Sequence, residues 1–167
     1  MVRPPLQGQH AAAAASGRCV LGRLRRGLGR TSAYGDYVVA GDIGGTNARF
    51  QLWQMGEKGA KDLVLKMKYP TANFSTFIDA LMQFELDCKY EVGGSEFSRG
   101  PKSSAFAAAG VVIENRLCTM TNLDWTICSS EIRDKAGWKH ASVLNDFEAV
   151  GYGVLAVDQG ELRARSE

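Results

Sequence analysis

Two short stretches of this 167-residue chain carry residue types whose spacing could do chemistry. The first runs Tyr37-Val-Val-Ala-Gly-Asp-Ile-Gly-Gly-Thr-Asn-Ala-Arg-Phe-Gln-Leu-Trp53. It reads as a strand over Tyr37 to Ala40, a Gly-rich turn over Gly41 to Thr46 and a second strand over Ala48 to Trp53. In that second strand Ala48, Phe50 and Leu52 alternate with Arg49 and Gln51, the period of a half-buried strand. Asp42 closes the first strand, Gly44 and Gly45 bare the backbone amides, and Thr46 offers a hydroxyl. Adjacent bare amides, a hydroxyl and a metal-seeking carboxylate suit a triphosphate with Mg²⁺. An ordinary hairpin around Gly-Gly has the same local signature, so both readings stand at this point.

The second stretch is Asn145-Asp146, at the junction of an apolar strand and a helix. Ligands of open α/β sheets gather beyond the carboxyl ends of strands, where Asp42 also sits. A carboxylate there can take a proton from an attacking hydroxyl. Asn145-x-x-Glu148 is also a capping pattern, and an acid in a first helical turn suits the helix dipole.

The elements between these stretches must position them. Lys61 to Tyr69 alternates Leu63, Leu65, Met67 and Tyr69 on one face, a third strand that completes an antiparallel meander and stops at Pro70. Phe74, Phe77, Ile78, Leu81, Phe84 and Cys88 recur at helical spacing, with Asn73 or Ser75 as the expected cap. Glu91 to Lys102 is rich in Gly and Pro and reads as a loop. Ser104 to Ala109 is a small-residue strand, and Val111 to Ile113 with Arg116 to Met120 forms a hairpin around Glu114-Asn115. Ser129 or Ser130 caps a helix that Gly137 stops near Ala136. Ala141 to Leu144 is a last strand, and Asp146 to about Val157 a closing helix. Three strands, then helix, strand, helix, strand, helix, is an α/β plan for one domain.

Charge is unevenly spread. Residues 1–33 hold six arginines and no acid, leaving 14 basic against 18 acidic residues and a net charge of −4 in the remainder. The folded part therefore lacks a basic footprint for nucleic acid. No run of 18 apolar residues spans a membrane. Residues 1–34, with Ala11 to Ala15 and repeated Gly and Arg, match an organelle transit peptide for plastid or mitochondrion. A basic tail on a cytoplasmic protein has the same composition. The four cysteines form no C-x-x-C pair and neither histidine has a ligand neighbour, which argues against structural zinc and a disulfide framework. No G-x-x-x-x-G-K-[ST] pattern occurs, which excludes a P-loop kinase.

Three segments together carry a resemblance. Gly41-Asp-Ile-Gly-Gly-Thr-Asn-Ala-Arg49, Met120-Thr-Asn-x-x-Trp125 and Leu144-Asn-Asp-Phe-Glu-Ala-Val150 resemble, in order and spacing, the bacterial-type glucokinases of the actin-like, hexokinase-like ATPase superfamily. The likeness covers most of residues 36 to 156, with one departure: Val111 stands where members usually have Pro. It implies an actin-like (ribonuclease H-like) α/β domain, with a mixed sheet, a three-strand antiparallel meander and flanking helices. Residues 35–156 would be the small N-terminal domain, and 157–167 the start of a second one.

The resemblance also implies roles. Gly41, Asp42, Ile43, Gly44, Gly45 and Thr46 would hold the phosphates of ATP, with Asp42 near Mg²⁺, through water. Asn145 and Asn122 would bind the sugar. Asp146 would be the base that takes the proton of the glucose 6-hydroxyl as it attacks the γ-phosphoryl group, the first step of glycolysis. The second phosphate loop and adenosine pocket of the family would lie beyond Glu167, so this chain is expected to be inactive alone. Expected partners are glucose and, for the full-length family, a second subunit. The alternatives are a non-catalytic sugar-sensing or interaction module, or a related sugar kinase.

Overall fold

The computed structural model describes residues 19–20, 37–56, 59–93 and 100–156. Among these residues the main sheet has six strands, in the spatial order 19–20, 59–70, 47–56, 37–43, 101–108 and 140–145. The meander expected from the alternating residues is present: β2 (Tyr37–Ile43), β3 (Asn47–Gly56) and β4 (Gly59–Pro70) pair antiparallel in chain order. β5 (Pro101–Ala108) then returns parallel to β2, and β9 (His140–Asn145) runs parallel to β5. The last strand in space, β1 (Cys19–Val20), pairs antiparallel with Lys68 and Met67 of β4. The rest of the Arg-rich segment, and with it the targeting reading, lies outside the described residues, as does 157–167.

One face of this sheet is the core. Val39 and Ile43 of β2, Phe50 and Leu52 of β3, and Phe106 and Ala108 of β5 are essentially inaccessible to solvent. Helix α1 (Phe77–Val92) covers them with Phe77, Ala80, Leu81, Phe84 and Cys88, a stripe at the 3.6-residue period. Phe50 is the hub, with ring centroids of Phe84, Tyr69, Phe77 and Phe106 at 5.2, 5.9, 6.1 and 6.1 Å. Burying four aromatic neighbours around one ring ties β3, β4, β5 and α1 into one unit.

Several boundaries differ from the sequence expectation. The Gly-rich turn is Gly44 to Thr46, because β2 continues through Gly41, Asp42 and Ile43. These three pair with Phe50, Arg49 and Ala48 on one side and with Phe106, Ala107 and Ala108 on the other. The cap of α1 is Thr76 rather than Asn73 or Ser75. Thr71 to Asn73 form a single 3-10 turn, and Thr76 closes a reciprocal box with Asp79. The Asp79 N–H donates to Thr76 Oγ1 at 3.2 Å, and the Thr76 N–H to Asp79 Oδ2 at 3.0 Å. Helix α2 (Ser129–Ala136) has Cys128 at its cap with no side-chain cap bond, so neither Ser129 nor Ser130 serves there. Gly137 ends it at φ 70°, in the left-handed region, as expected. Of the loop expected from Glu91 to Lys102, the start belongs to α1, which runs to Val92, and the end to β5, which begins at Pro101; residues 94–99 lie outside the described residues.

The hairpin around Glu114-Asn115 is also present, both residues having positive φ (50° and 54°). Its strands, β6 (Gly110–Ile113) and β7 (Leu117–Met120), are joined by β8 (Thr126–Cys128) in a separate three-stranded sheet. β8 has only three residues, too few to display a period. Helix α3 (Asp146–Ala156) closes the described chain, with Phe147, Val150 and Leu155 exposed. Among the described residues no helix is long and apolar enough to cross a membrane.

Candidate active site at the ends of three parallel strands

The parallel strands β2, β5 and β9 end level with one another. Ile43 pairs with Ala108, and Ala108 with Asn145, so one line across the sheet marks the last ladder position of all three. Each chain leaves the sheet just past that line: as Gly44 to Thr46, as Ala109-Gly110, and as Asp146 opening α3. Register alone thus brings Gly44, Gly45, Thr46, Asn145 and Asp146 to one end of the sheet.

Backbone hydrogen bonds hold the three exits together. The Ala109 N–H donates to Ile43 O at 3.2 Å, and Ala109 O accepts from both the N–H and the Oγ1 of Thr121, at 3.3 and 3.2 Å. That places Thr121-Asn122 beside the turn, where a Cβ added to Gly45 would lie 3.3 Å from the Cβ of Asn122. Asn122, 77 positions downstream of Gly45, is therefore in the site, and it is exposed there. Within the turn the Gly44 N–H donates to Asn47 O at 3.0 Å. Thr71, itself buried, donates to the turn from Oγ1 to Gly45 O at 2.7 Å and from N–H to Thr46 O at 3.0 Å. Thr71 carried no sequence signal beyond following Pro70 at a strand end.

Asp42 lies one residue before the line, with its side chain 60 % exposed and Oδ2 paired to Arg49 Nη1 at 2.8 Å. Arg49 is its cross-strand partner, so the ion pair follows from the register. At this exposure such a pair contributes at most about 1 kcal/mol, and the second carboxylate oxygen remains for a cation or its water shell. Asn145 uses one donor and one acceptor site of its amide: Nδ2 donates to Gly110 O at 3.0 Å, and Oδ1 accepts the Phe147 N–H at 3.0 Å. Asp146 Oδ1 shares that same N–H at 3.0 Å. Burial first, and then the negative charge of Asp146, push the Cys118 thiol of β7 up.

Gly41 and Ile43 stand apart from the turn. Ile43 is a core side chain contributing only its carbonyl to the exits. Gly41 sits under the Phe106 ring, and a Cβ there would come within 2.5 Å of Phe106 Cδ1. Its missing side chain makes room for the core. Val111 is a ladder residue of β6 opposite Thr119.

A family model described as Glucokinase matches residues 39–165, which includes every strand exit named above. The chain belongs to the glucokinase family. The glucokinase of Nostoc punctiforme is 28 % identical to it over 125 residues, covering 75 % of this chain and 34 % of that protein. The glucokinase of Synechocystis is 31 % identical over 134 residues, covering 78 % and 37 %. This glucokinase-family chain thus spans about a third of the length of the curated relatives it matches. Among solved structures, a glucokinase from an Antarctic psychrotroph superposes with a TM-score of 0.62 at 24 % identity, covering 79 % of this chain and 40 % of that one. A glucokinase from Balamuthia mandrillaris in complex with glucose gives 0.55 at 20 % identity, covering 71 % and 32 %. These likenesses show the fold, that of the actin-like ATPases, with the mixed sheet and meander described above.

Proposed function

We propose that this chain supplies the phosphate-turn and general-base side of a glucokinase cleft, acting in ATP-dependent phosphorylation of glucose at its 6-hydroxyl. The observation that carries the reading is the shared end of β2, β5 and β9, with a bare-amide turn at one exit and Asp146 at another.

Each residue has a physical task. The amides of Gly45 and Thr46 face the phosphates of ATP and offset charge on the transferred group, where positioning and neutralisation do most of the catalytic work. Charge neutralisation at the phosphates would be supplied by Mg²⁺ when bound. Asp42 would hold it through water by the oxygen that Arg49 leaves open. The amides of Asn145 and Asn122 orient the sugar. Asp146, with Oδ1 held by the Phe147 N–H, takes the 6-hydroxyl proton on Oδ2. The sugar oxygen then bonds to the γ-phosphorus, the bond to the bridging β–γ oxygen breaks, and ADP leaves. Base assistance of this kind contributes typically about 10²–10⁴-fold.

Asp42, Gly45, Thr46 and Asn122 are exposed, so excluding water needs a second surface over the strand ends. We place that surface in the part of the relatives that this chain does not span, and expect little turnover without it. The Arg-rich composition of residues 1–34 supports delivery to a plastid or mitochondrion.

The test is a titration of the chain with glucose and with Mg-ATP, followed at backbone amides, beside an assay of glucose 6-phosphate. Glucose is expected to move Asn122, Asn145 and Asp146, and Mg-ATP to move Gly44 to Thr46. Any turnover should vanish in Asp146→Ala. Glucose binding with no turnover, even when the missing portion of a relative is supplied, would favour a sugar-sensing module. Saturating ligands that leave both groups of amides unmoved would overturn the proposal.

A further inference from the structure

We infer that Thr71 is a positioning residue that sets the phosphate turn for its ligand, an inference resting on the reading of Gly44 to Thr46 as the triphosphate-binding turn. Thr71 lies 25 positions beyond Thr46, yet it grips two successive carbonyls of the turn, Gly45 O through Oγ1 at 2.7 Å and Thr46 O through its N–H at 3.0 Å. It is 3 % exposed, so this clamp does not exchange freely with water.

The direction of the grip matters. Across a trans peptide the C=O and the following N–H point opposite ways, and none of the described peptides is cis. Holding Gly45 O against Thr71 therefore turns the Thr46 N–H to the far side of the turn. The Gly44 N–H is already committed to Asn47 O, so the amides left to meet an anion are those of Gly45 and Thr46. Two adjacent glycines have the largest conformational freedom to lose on ordering. A buried two-point clamp removes that freedom before the ligand arrives, which strengthens binding without touching the ligand. Pro70, at φ −62° and paired with Asn47 at the end of the β3–β4 ladder, delivers Thr71 to this spot. Asn122 also lies against the turn, at Gly45.

The experiment compares the full chain with Thr71→Val, which replaces the hydroxyl by a methyl, and Thr71→Ser, which keeps it. Amide exchange and a Mg-ATP titration are both read at the turn. In Thr71→Val the exchange of the Gly44 and Thr71 amides should rise about tenfold and Mg-ATP affinity should fall about tenfold, with Ala105 and Ala107 of β5 unchanged. Thr71→Ser should restore both to within about twofold. Unaltered Gly44 exchange and ATP affinity in Thr71→Val would overturn the inference. So would equal loosening of β5, which would make Thr71 an ordinary core residue. If Mg-ATP leaves Gly44 to Thr46 unmoved in the unmodified chain, the phosphate-turn reading fails instead. The exchange data then decide whether Thr71 orders the turn.

Discussion

Asn145 joins two exits of the sheet: its Nδ2 donates to Gly110 O at 3.0 Å while its Oδ1 accepts the Phe147 N–H at 3.0 Å. The residue that the site would use to hold a sugar is thus also the brace between β9, β6 and the first turn of α3. Asn145→Ala removes both bonds and is expected to destabilise the domain by about 1–3 kcal/mol, read from urea unfolding. Asn145→Asp keeps an acceptor for Phe147 but sets a carboxylate oxygen against the Gly110 carbonyl. Its stability should recover towards acid pH, where the protonated group can donate again. A loss in Asn145→Asp that does not change with pH would count against this geometry.

Two glycines of the same motif are expected to behave oppositely. Gly41→Ala drives a methyl group to 2.5 Å from Phe106 Cδ1, an overpacking that costs about 1–3 kcal/mol. Gly44→Ala meets only Asn47 O, at 3.6 Å, an ordinary contact, so its unfolding midpoint should stay near that of the parent. Denaturant midpoints of the two variants, measured side by side, check the assignment of Gly41 to the core.

Cysteine reactivity should follow environment. The Cys128 thiol is lowered chiefly by its hydrogen bond with the Ser130 hydroxyl, whereas burial pushes Cys88 and Cys118 up. At neutral pH, iodoacetamide followed by peptide mapping should label Cys128 ahead of Cys88 and Cys118, because the thiolate is the nucleophile. Ser130→Ala should slow Cys128 alone. Labelling of Cys88 at the same rate would contradict the packing of α1.

Glu85 gives a pH dependence of definite sign. Burial raises its carboxyl, against the opposing effects of Lys89 and of the Trp138 Nε1–H, which donates to Oε1 at 3.0 Å. With the folded value above the unfolded one, Glu85 contributes most below the ordinary carboxyl range. That contribution is lost as pH rises through the raised folded value. Glu85→Gln keeps an acceptor for Trp138 and cannot ionise. Its stability relative to the parent should therefore improve as pH rises above the ordinary carboxyl range. A difference that stays constant with pH would show that Glu85 titrates as if unfolded.

Local pattern was enough to read much of this protein. The alternation of Ala48, Phe50 and Leu52 and the helical spacing of Phe77, Leu81, Phe84 and Cys88 located the meander and α1, because periods of 2 and 3.6 are written along the chain. The order of the three family segments located the two motif-bearing strand ends and the family. Short-range signals failed where competing donors were close together. Thr76 capped α1 once Thr71 to Asn73 were taken into a 3-10 turn, and the three residues of β8 were too few to show a period. Tertiary structure alone decided what depends on register between distant segments. It aligned Ile43, Ala108 and Asn145, moved Gly41 out of the turn and under Phe106, and set Asn122 against Gly45. It also brought the buried Thr71 onto the carbonyls of Gly45 and Thr46, since a hydrogen bond between residues 26 apart leaves no periodic mark on the sequence.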